Sequence, residues 1–210
     1  MANIKKVISG QLEVNCYIIY DETSKAAVII DPGADFDCVC AEIEKLKLKP
    51  ELLINTHGHY DHILSDDLLR SKYNIPLAIG IFDAPMLTDS KKNASFFMGC
   101  DTALKPAEIL LEDNQKLKTS FCEFLVITTP GHTRGSVCLK TEGALFSGDT
   151  LFAGSIGRTD FPGGDLAEMK KSLQRLMALP KTLKVYPGHG PATTIDNEMR
   201  HNPYVNGDYL

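Results

Sequence analysis

The chain has 210 residues, 43% of them hydrophobic and 23% charged, with a net charge of −5. That is length enough to bury a core without disulfide staples, and too apolar a composition to stay disordered. Its longest apolar runs, such as Ala26 to Ile30, fall far short of the roughly 20 residues of a membrane span, and no block of about five like charges marks a nucleic-acid binder. Neither a membrane nor a nucleic acid is therefore expected as a partner, and small-molecule chemistry is. Lys5 and Lys6 precede an apolar stretch as in a secretory leader, but Gln11, Glu13 and Asn15 interrupt it and no small-residue cleavage site follows, which predicts a cytoplasmic protein. The six cysteines contain no CxxC pair and read mostly as small buried apolar side chains, with Cys38 and Cys40 on different faces of a helix.

In chain order, Val7 to Ser9, Val14 to Tyr20 and Ala26 to Ile30 are β-rich runs separated by turn residues, and predict consecutive antiparallel strands. Phe36, Val39, Cys40, Ile43 and Leu46 recur at three and four residues, predicting a helix that Pro50 closes. A short buried strand from Leu52 to Asn55 and a helix from Ile63 to Tyr73 follow, then a stretch from about Ser90 to Pro106 with no clear period, read as a loop with helical turns and a candidate lid. In the second half, Phe124 to Thr128, Val137 to Lys140, Ala144 to Ser147 and Leu183 to Tyr186 predict strands. Leu166, Met169, Leu173, Leu176 and Met177 predict a helix, with Asp165 and Glu168 spaced as a capping box and Pro180 beyond its end. The alternation predicts an α/β protein with mixed sheets and outer helices, residues 1–210 forming one domain of two pseudo-repeated halves, about 1–110 and 111–210.

The chemistry lies in the histidines. Directly after the strand at Leu52 to Asn55 comes Thr56-His57-Gly58-His59-Tyr60-Asp61-His62, with four potential metal ligands between positions 57 and 62. In an extended segment residues two apart point the same way, so His57 and His59 can grip one ion, while Asp61 and His62 sit at the turn into the next helix and can serve a second. Three further segments each place a candidate ligand beside glycine just after a strand: Thr129-Pro130-Gly131-His132, Ser147-Gly148-Asp149-Thr150 and Tyr186-Pro187-Gly188-His189. Ligands at the ends of successive strands converge on one edge of a sheet. Five of the six histidines fall in these motifs, leaving His201 for the surface.

Taken in order, HxHxDH, TPGHTxGS, SGDTLF and YPGHG resemble the metallo-β-lactamase superfamily, and within it the small glyoxalase II-like hydrolases, over about residues 7 to 190. The resemblance implies a four-layer αββα sandwich with metals at one edge. It implies one ion on His57, His59 and His132, another on Asp61, His62 and His189, and Asp149 bridging them. The donors are nitrogen and oxygen, which suits zinc but also iron or manganese. Two divalent ions bring about four positive charges; Asp61, Asp149 and a bridging hydroxide remove about three, leaving about one for a developing oxyanion, and the hydroxide can attack a carbonyl at neutral pH. Asp61 and Asp149 are thus candidate catalytic residues as well as ligands. Asp31 and Thr56 are candidates to orient the histidine rings.

For the substrate, the resemblance implies a thioester of the hydroxyacylglutathione type. Only residues 190–210 follow His189, so the extra helical domain of the longer enzymes is expected to be absent and the chain is similar to the compact, type II branch. Gly157-Arg158-Thr159-Asp160-Phe161 falls where those enzymes carry a basic substrate-binding residue, making Arg158 the candidate for an anionic substrate; the tyrosine that follows there is Asp160 or Phe161 here, and Ser65 replaces a usual glycine. Asn197 to Tyr204 resembles a tail common in the compact branch. The alternatives are a mononuclear iron sulfur (persulfide) dioxygenase of the same superfamily, which shares a Gly-Arg-Thr-Asp-Phe segment, and a hydrolase of another small ester or lactone.

Overall fold

Residues 2–207 are described by a computed structural model. The first half lays down β1 (Asn3–Ser9), β2 (Val14–Tyr20), β3 (Ala26–Ile30), β4 (Lys49–Asn55), β5 (Leu77–Gly80) and β6 (Ile109–Leu111), hydrogen-bonded in that order as one sheet. Pairing is antiparallel from β1 to β3 and parallel from β3 to β6. The second half adds β7 (Lys116–Lys118), β8 (Glu123–Thr128), β9 (Val137–Lys140), β10 (Ala144–Gly148), the hairpin β11 (Leu151–Phe152) and β12 (Ser155–Ile156), then β13 (Lys184–Pro187) and β14 (Thr193–Thr194). Its sheet runs β14-β13-β10-β9-β8-β7, with β10 and β13 parallel and the other neighbours antiparallel.

Strand periodicity builds the layers. Along β2, Cys16 and Ile18 face outward to the helices α1 (Phe36–Leu46), α2 (Tyr60–Ile63) and α3 (Asp66–Tyr73), packing with Val39, Ile43, Ile63 and Leu69. The alternate residues Tyr17 and Ile19 face inward, against Phe124, Val126, Leu139 and Phe146 of the other sheet. Outside that second sheet, Met169, Leu173 and Leu176 of α5 (Leu166–Met177) cover Ile127, Cys138, Leu145 and Val185. Three apolar interfaces between four layers make the αββα sandwich, and each fully buried aliphatic or aromatic side chain in them contributes about 1.5–3 kcal/mol.

Several elements differ from the expectations. β1 begins four residues before the predicted Val7, because Asn3, Lys5 and Lys6 mask an edge strand that pairs with β2 through Asn3↔Tyr20. α1 ends at Leu46 with Lys47 in the left-handed conformation, and Pro50 lies inside β4, where the register with β3 shifts between Ala27 and Val28. The helix expected over Ile63 to Tyr73 is two helices, because the Gly33 loop intervenes: Gly33 N–H donates to the His62 carbonyl at 3.1 Å and Ser65 N–H donates to the Gly33 carbonyl at 2.9 Å. Asp165 caps α5 by accepting from the N–H groups of Ala167 and Glu168 at 2.8 and 3.0 Å, whereas Glu168 turns to Lys171 instead of closing the capping box. The segment after β5 carries α4 (Ala84–Leu87) and a 3-10 turn, Ser95–Met98. The tail forms α6 (Ile195–His201) and α7 (Pro203–Asn206). No helix among the described residues is long and apolar enough to cross a membrane. All six cysteines are free thiols; Cys16, Cys40 and Cys138 are buried, while Cys38 and Cys100 are exposed.

Candidate metal centre

The ends of β4, β8, β10 and β13 deliver their ligand candidates to one edge of the sandwich. His57 and His59 follow β4, Asp61 and His62 ride on α2, and His132, Asp149 and His189 follow β8, β10 and β13. The ligating atoms of His57, His59 and His132 lie within 4.8 Å of one another, as do those of Asp61, His62 and His189, and those of His57, His62 and Asp149. His59 Nδ1 and His132 Nε2 are 2.8 Å apart, and Asp149 reaches both groups, with its oxygens 3.5 Å from His62 Nε2, 3.7 Å from His132 Nε2 and 3.5 Å from His189 Nε2. His201 lies away from the cluster, exposed at the end of α6.

The ring orientations are set from behind. His132 Nδ1 faces the Arg158 carbonyl at 2.8 Å and His189 Nδ1 the Leu12 carbonyl at 2.9 Å, so each donates its Nδ1 proton and leaves Nε2 free as a ligand. Thr56 donates its hydroxyl to Asp31 at 2.7 Å and faces His57 Nδ1 at 3.2 Å, while Asp31 Oδ2 also lies 3.3 Å from His62 Nδ1. The His189 loop is clamped from the first sheet: Asn15 Nδ2 donates to the Pro187 and Gly190 carbonyls, both at 2.9 Å, and the Tyr17 hydroxyl donates to the Pro187 carbonyl at 2.8 Å.

A cation fits this cluster. His57 Nε2 and Asp149 Oδ1 are buried and have no hydrogen-bond partner among the described residues, an arrangement that costs free energy unless an ion takes them up. The electrostatics divide accordingly. Burial, reinforced by the neighbouring imidazoles, pushes His57 well below the usual histidine range and His59 down to about 3, so both are neutral donors. Around His62 burial acts in the same downward direction, but the carboxylates of Asp61, Asp149 and Asp31 prevail and raise it to about 10. Burial would raise Asp61, yet His62 and His189 hold its carboxyl well below the usual range. The carboxylates thus demand positive charge where the second ion would sit.

Two glycines let the loops close. A Cβ on Gly188 would meet Asp149 Oδ1 at 2.2 Å; Gly148, at φ +48°, would bring a Cβ to 2.3 Å from Thr56 Oγ1.

Sequence reasoning missed Asp83. Its buried carboxylate accepts from Gly58 N–H at 2.9 Å, Thr133 Oγ1 at 2.6 Å and Gly135 N–H at 2.7 Å, tying the His57–His59 loop to the one after His132. A lone acid after an apolar strand gives no local signal for that. It also missed Glu198, fully buried in α6, which accepts from Gly154 N–H at 2.8 Å and thereby anchors the β11–β12 hairpin beside the site.

The cluster opens into a cleft of about 760 Å³. Its floor includes His59, Asp61, His132, Asp149 and His189, its walls Leu12, Phe97, Met98, Phe152 and Phe161, and its cations Lys91, Lys92 and Arg158. Arg158 is therefore at the cleft, but its guanidinium is bound bidentately by Asp160, Nε and Nη2 each at 2.8 Å from a carboxylate oxygen. The 3-10 turn from the stretch read as a candidate lid supplies Phe97 and Met98.

Imidazole and carboxylate donors gathered at one edge of an αββα sandwich define the class of protein as a metallo-hydrolase. The chain belongs to the metallo-beta-lactamase superfamily, whose family model matches residues 9–189. Over 209 residues it is 32% identical to the hydroxyacylglutathione hydrolase GloC of Haemophilus influenzae, covering 97% of this chain and 98% of that one. It superposes on the crystal structure of the BLEG-1 B3 metallo-beta-lactamase with a TM-score of 0.93 at 38% identity, covering 98% of this chain and 100% of the other. With the protein TTHA1623 in a di-iron-bound form the TM-score is 0.85 at 34% identity, covering 95% and 99%.

Proposed function

We propose that the protein is a thioesterase, hydrolysing small acyl thioesters of the hydroxyacylglutathione type with two divalent metal ions, zinc or iron. The observation that carries the reading is the open cleft whose floor is the ligand cluster itself, so that a carbonyl can reach the cluster from a cavity large enough for a small thioester. His57, His59 and His132 would hold one ion, Asp61, His62 and His189 the other, and Asp149 would serve both. Such ions, when bound, polarise the carbonyl and make a water acidic enough to attack it at neutral pH.

The chain's own groups do the rest. Asp61 and Asp149, both at the cleft floor, accept hydrogen bonds from the attacking water and fix its lone pair towards the carbonyl. No side-chain nucleophile is needed, and none of the free cysteines belongs to the ligand groups. Phe97, Met98 and Phe152 give the cleft apolar walls for the hydrocarbon parts of a thioester. Likeness to GloC supports a thioester over another bond, and the di-iron relative keeps iron beside zinc as the metal.

The test is metal analysis of the purified protein together with assays on S-lactoylglutathione, a panel of other acyl thioesters, a lactone and a β-lactam. Two metal ions per chain and fastest turnover of a thioester are expected. About one iron per chain with oxygen consumption on a persulfide would replace the reading by the dioxygenase, and fastest turnover of the lactone or β-lactam would move it to another ester or amide bond.

A further inference from the structure

Three cations line the cleft, and they are not equally available: Lys91 Nζ lies 5.4 Å from the centroid of the Phe96 ring, whereas Lys92 and Arg158 each meet a carboxylate. Lys92 Nζ lies 3.3 Å from Asp89 Oδ2. Arg158 is more completely engaged: both prongs of its fork meet the two oxygens of Asp160 at 2.8 Å, and its Cζ lies 3.6 Å from the centroid of the Phe161 ring. A guanidinium bound edge-on by a carboxylate and stacked on an aromatic face has met its bidentate preference. The Arg158 backbone is fixed as well, since its carbonyl takes His132 Nδ1 at 2.8 Å, and Phe161 packs edge-on to His59 with centroids 5.9 Å apart. The carboxylate that the Arg158 guanidinium would otherwise take from a substrate is thus already supplied by the chain, two residues on, while the cleft walls are predominantly apolar.

We propose that Asp160 is a specificity-determining residue: its carboxylate takes the place of a substrate carboxylate on Arg158, so that the cleft favours thioesters with an apolar thiol portion over those of polyanionic thiols. This rests on the thioesterase reading and moves the preferred substrate within it, from the glutathione thioester towards thioesters of neutral thiols. Asp160 and Arg158 are both solvent-accessible, with side-chain exposures of 69% and 53%, so water and salt screen their pairing and a substrate carboxylate competes with Asp160 without having to break a buried pair. The bias is therefore a matter of several-fold, and removal of Asp160 does not disturb the core.

The test compares two thioesters with the same acyl group, S-lactoylglutathione and the lactoyl thioester of uncharged benzyl mercaptan, on the metal-loaded protein. In Asp160→Ala the ratio of kcat/KM for the anionic to that for the neutral thioester should rise about threefold to fivefold, mainly through KM. Adding Arg158→Ala to that variant should return the ratio to the wild-type value, because the gain runs through the freed guanidinium. A ratio unchanged in Asp160→Ala, or raised equally in the double variant, overturns the proposal. Turnover of neither thioester overturns the thioesterase reading instead, and the role of Asp160 is then read by calorimetric titration with S-methylglutathione. Tighter binding to Asp160→Ala than to wild type by the same factor supports it, and equal affinity overturns it.

Discussion

Thr56 gives both of its donors to Asp31, the backbone N–H to Oδ1 and the hydroxyl to Oδ2, each at 2.7 Å. Because the hydroxyl proton is committed, the Thr56 oxygen is left as an acceptor for His57 Nδ1 at 3.2 Å, which directs His57 Nε2 into the cluster. The same carboxylate lies 3.3 Å from His62 Nδ1, so one buried acid orients a ring from each ligand group. Asp31→Ala should therefore lower metal affinity about tenfold to a hundredfold, read by competition with a chromophoric chelator, with Asp31→Asn falling in between. Unchanged affinity in Asp31→Ala would remove this orienting role.

Asp83 acts on the backbone of the ligand loops. Asp83→Ala leaves two buried N–H groups and the Thr133 hydroxyl without this acceptor, a loss on the order of 3 kcal/mol. For a chain of this size that is a fall of about 6–12 °C in Tm. Thermal denaturation of wild type and variant in excess chelator isolates this effect from any change in metal binding; equal midpoints would show that the loops are held by other contacts.

Asp66 carries a pH dependence whose sign is fixed by its surroundings. It is fully buried, and although Asn55 Nδ2 donates to Oδ1 at 3.4 Å, Oδ2 has no hydrogen-bond partner among the described residues. Burial raises its pKa well above 3.8, with the Asn55 bond opposing and the Asp31 charge adding to the rise. The unfolded chain thus releases this proton at lower pH than the folded one, so the contribution to stability is present below the unfolded pKa and is lost as pH rises towards the folded pKa. Asp66→Asn keeps the acceptor for Asn55 and removes the titration. Urea denaturation should find the variant gaining stability over wild type as pH rises from 4 to 8; a constant difference across that range would mean that Asp66 ionises normally.

Much of this candidate site could be read from the chain because its ligand candidates are local signals. His57, His59, Asp61 and His62 lie within one loop and helical turn, and His132, Asp149 and His189 each stand beside a glycine after an apolar strand. The central strands were legible for a related reason: β2 and β3 are almost wholly buried, so Cys16 to Tyr20 and Ala26 to Ile30 are continuous apolar runs. Short edge strands such as β6 and β7, with three residues each and exposed Leu110 or lysines, carry no such run. Asp83 was hidden because its partners Gly58, Thr133 and Gly135 are 25, 50 and 52 residues away, and the break between α2 and α3 because it is made by the Gly33 loop. The Asp160–Arg158 pair was hidden differently. Both residues stood in the motif, but sequence alone does not say whether an arginine faces a substrate or its own neighbour.

Gly188 sets the sharpest steric condition on the centre. A Cβ there would stand 2.2 Å from Asp149 Oδ1 and 2.9 Å from His62 Cε1, distances that non-bonded atoms do not adopt. The backbone cannot retreat, because Gly188 N–H donates to the Gly148 carbonyl at 2.8 Å and its carbonyl accepts from Asn15 N–H at 2.7 Å, pinning the loop to both sheets. The carboxylate must give way instead, and Asp149 is the residue whose oxygens face both ligand groups. Gly188→Ala should accordingly lower metal affinity more than tenfold and abolish most turnover, while the metal-stripped variant, strained only at this edge, keeps the far-ultraviolet circular dichroism of the wild type. Chelator competition and metal analysis read the first effect; a variant that retains wild-type metal content and affinity would show that Asp149 is not needed where the structure puts it.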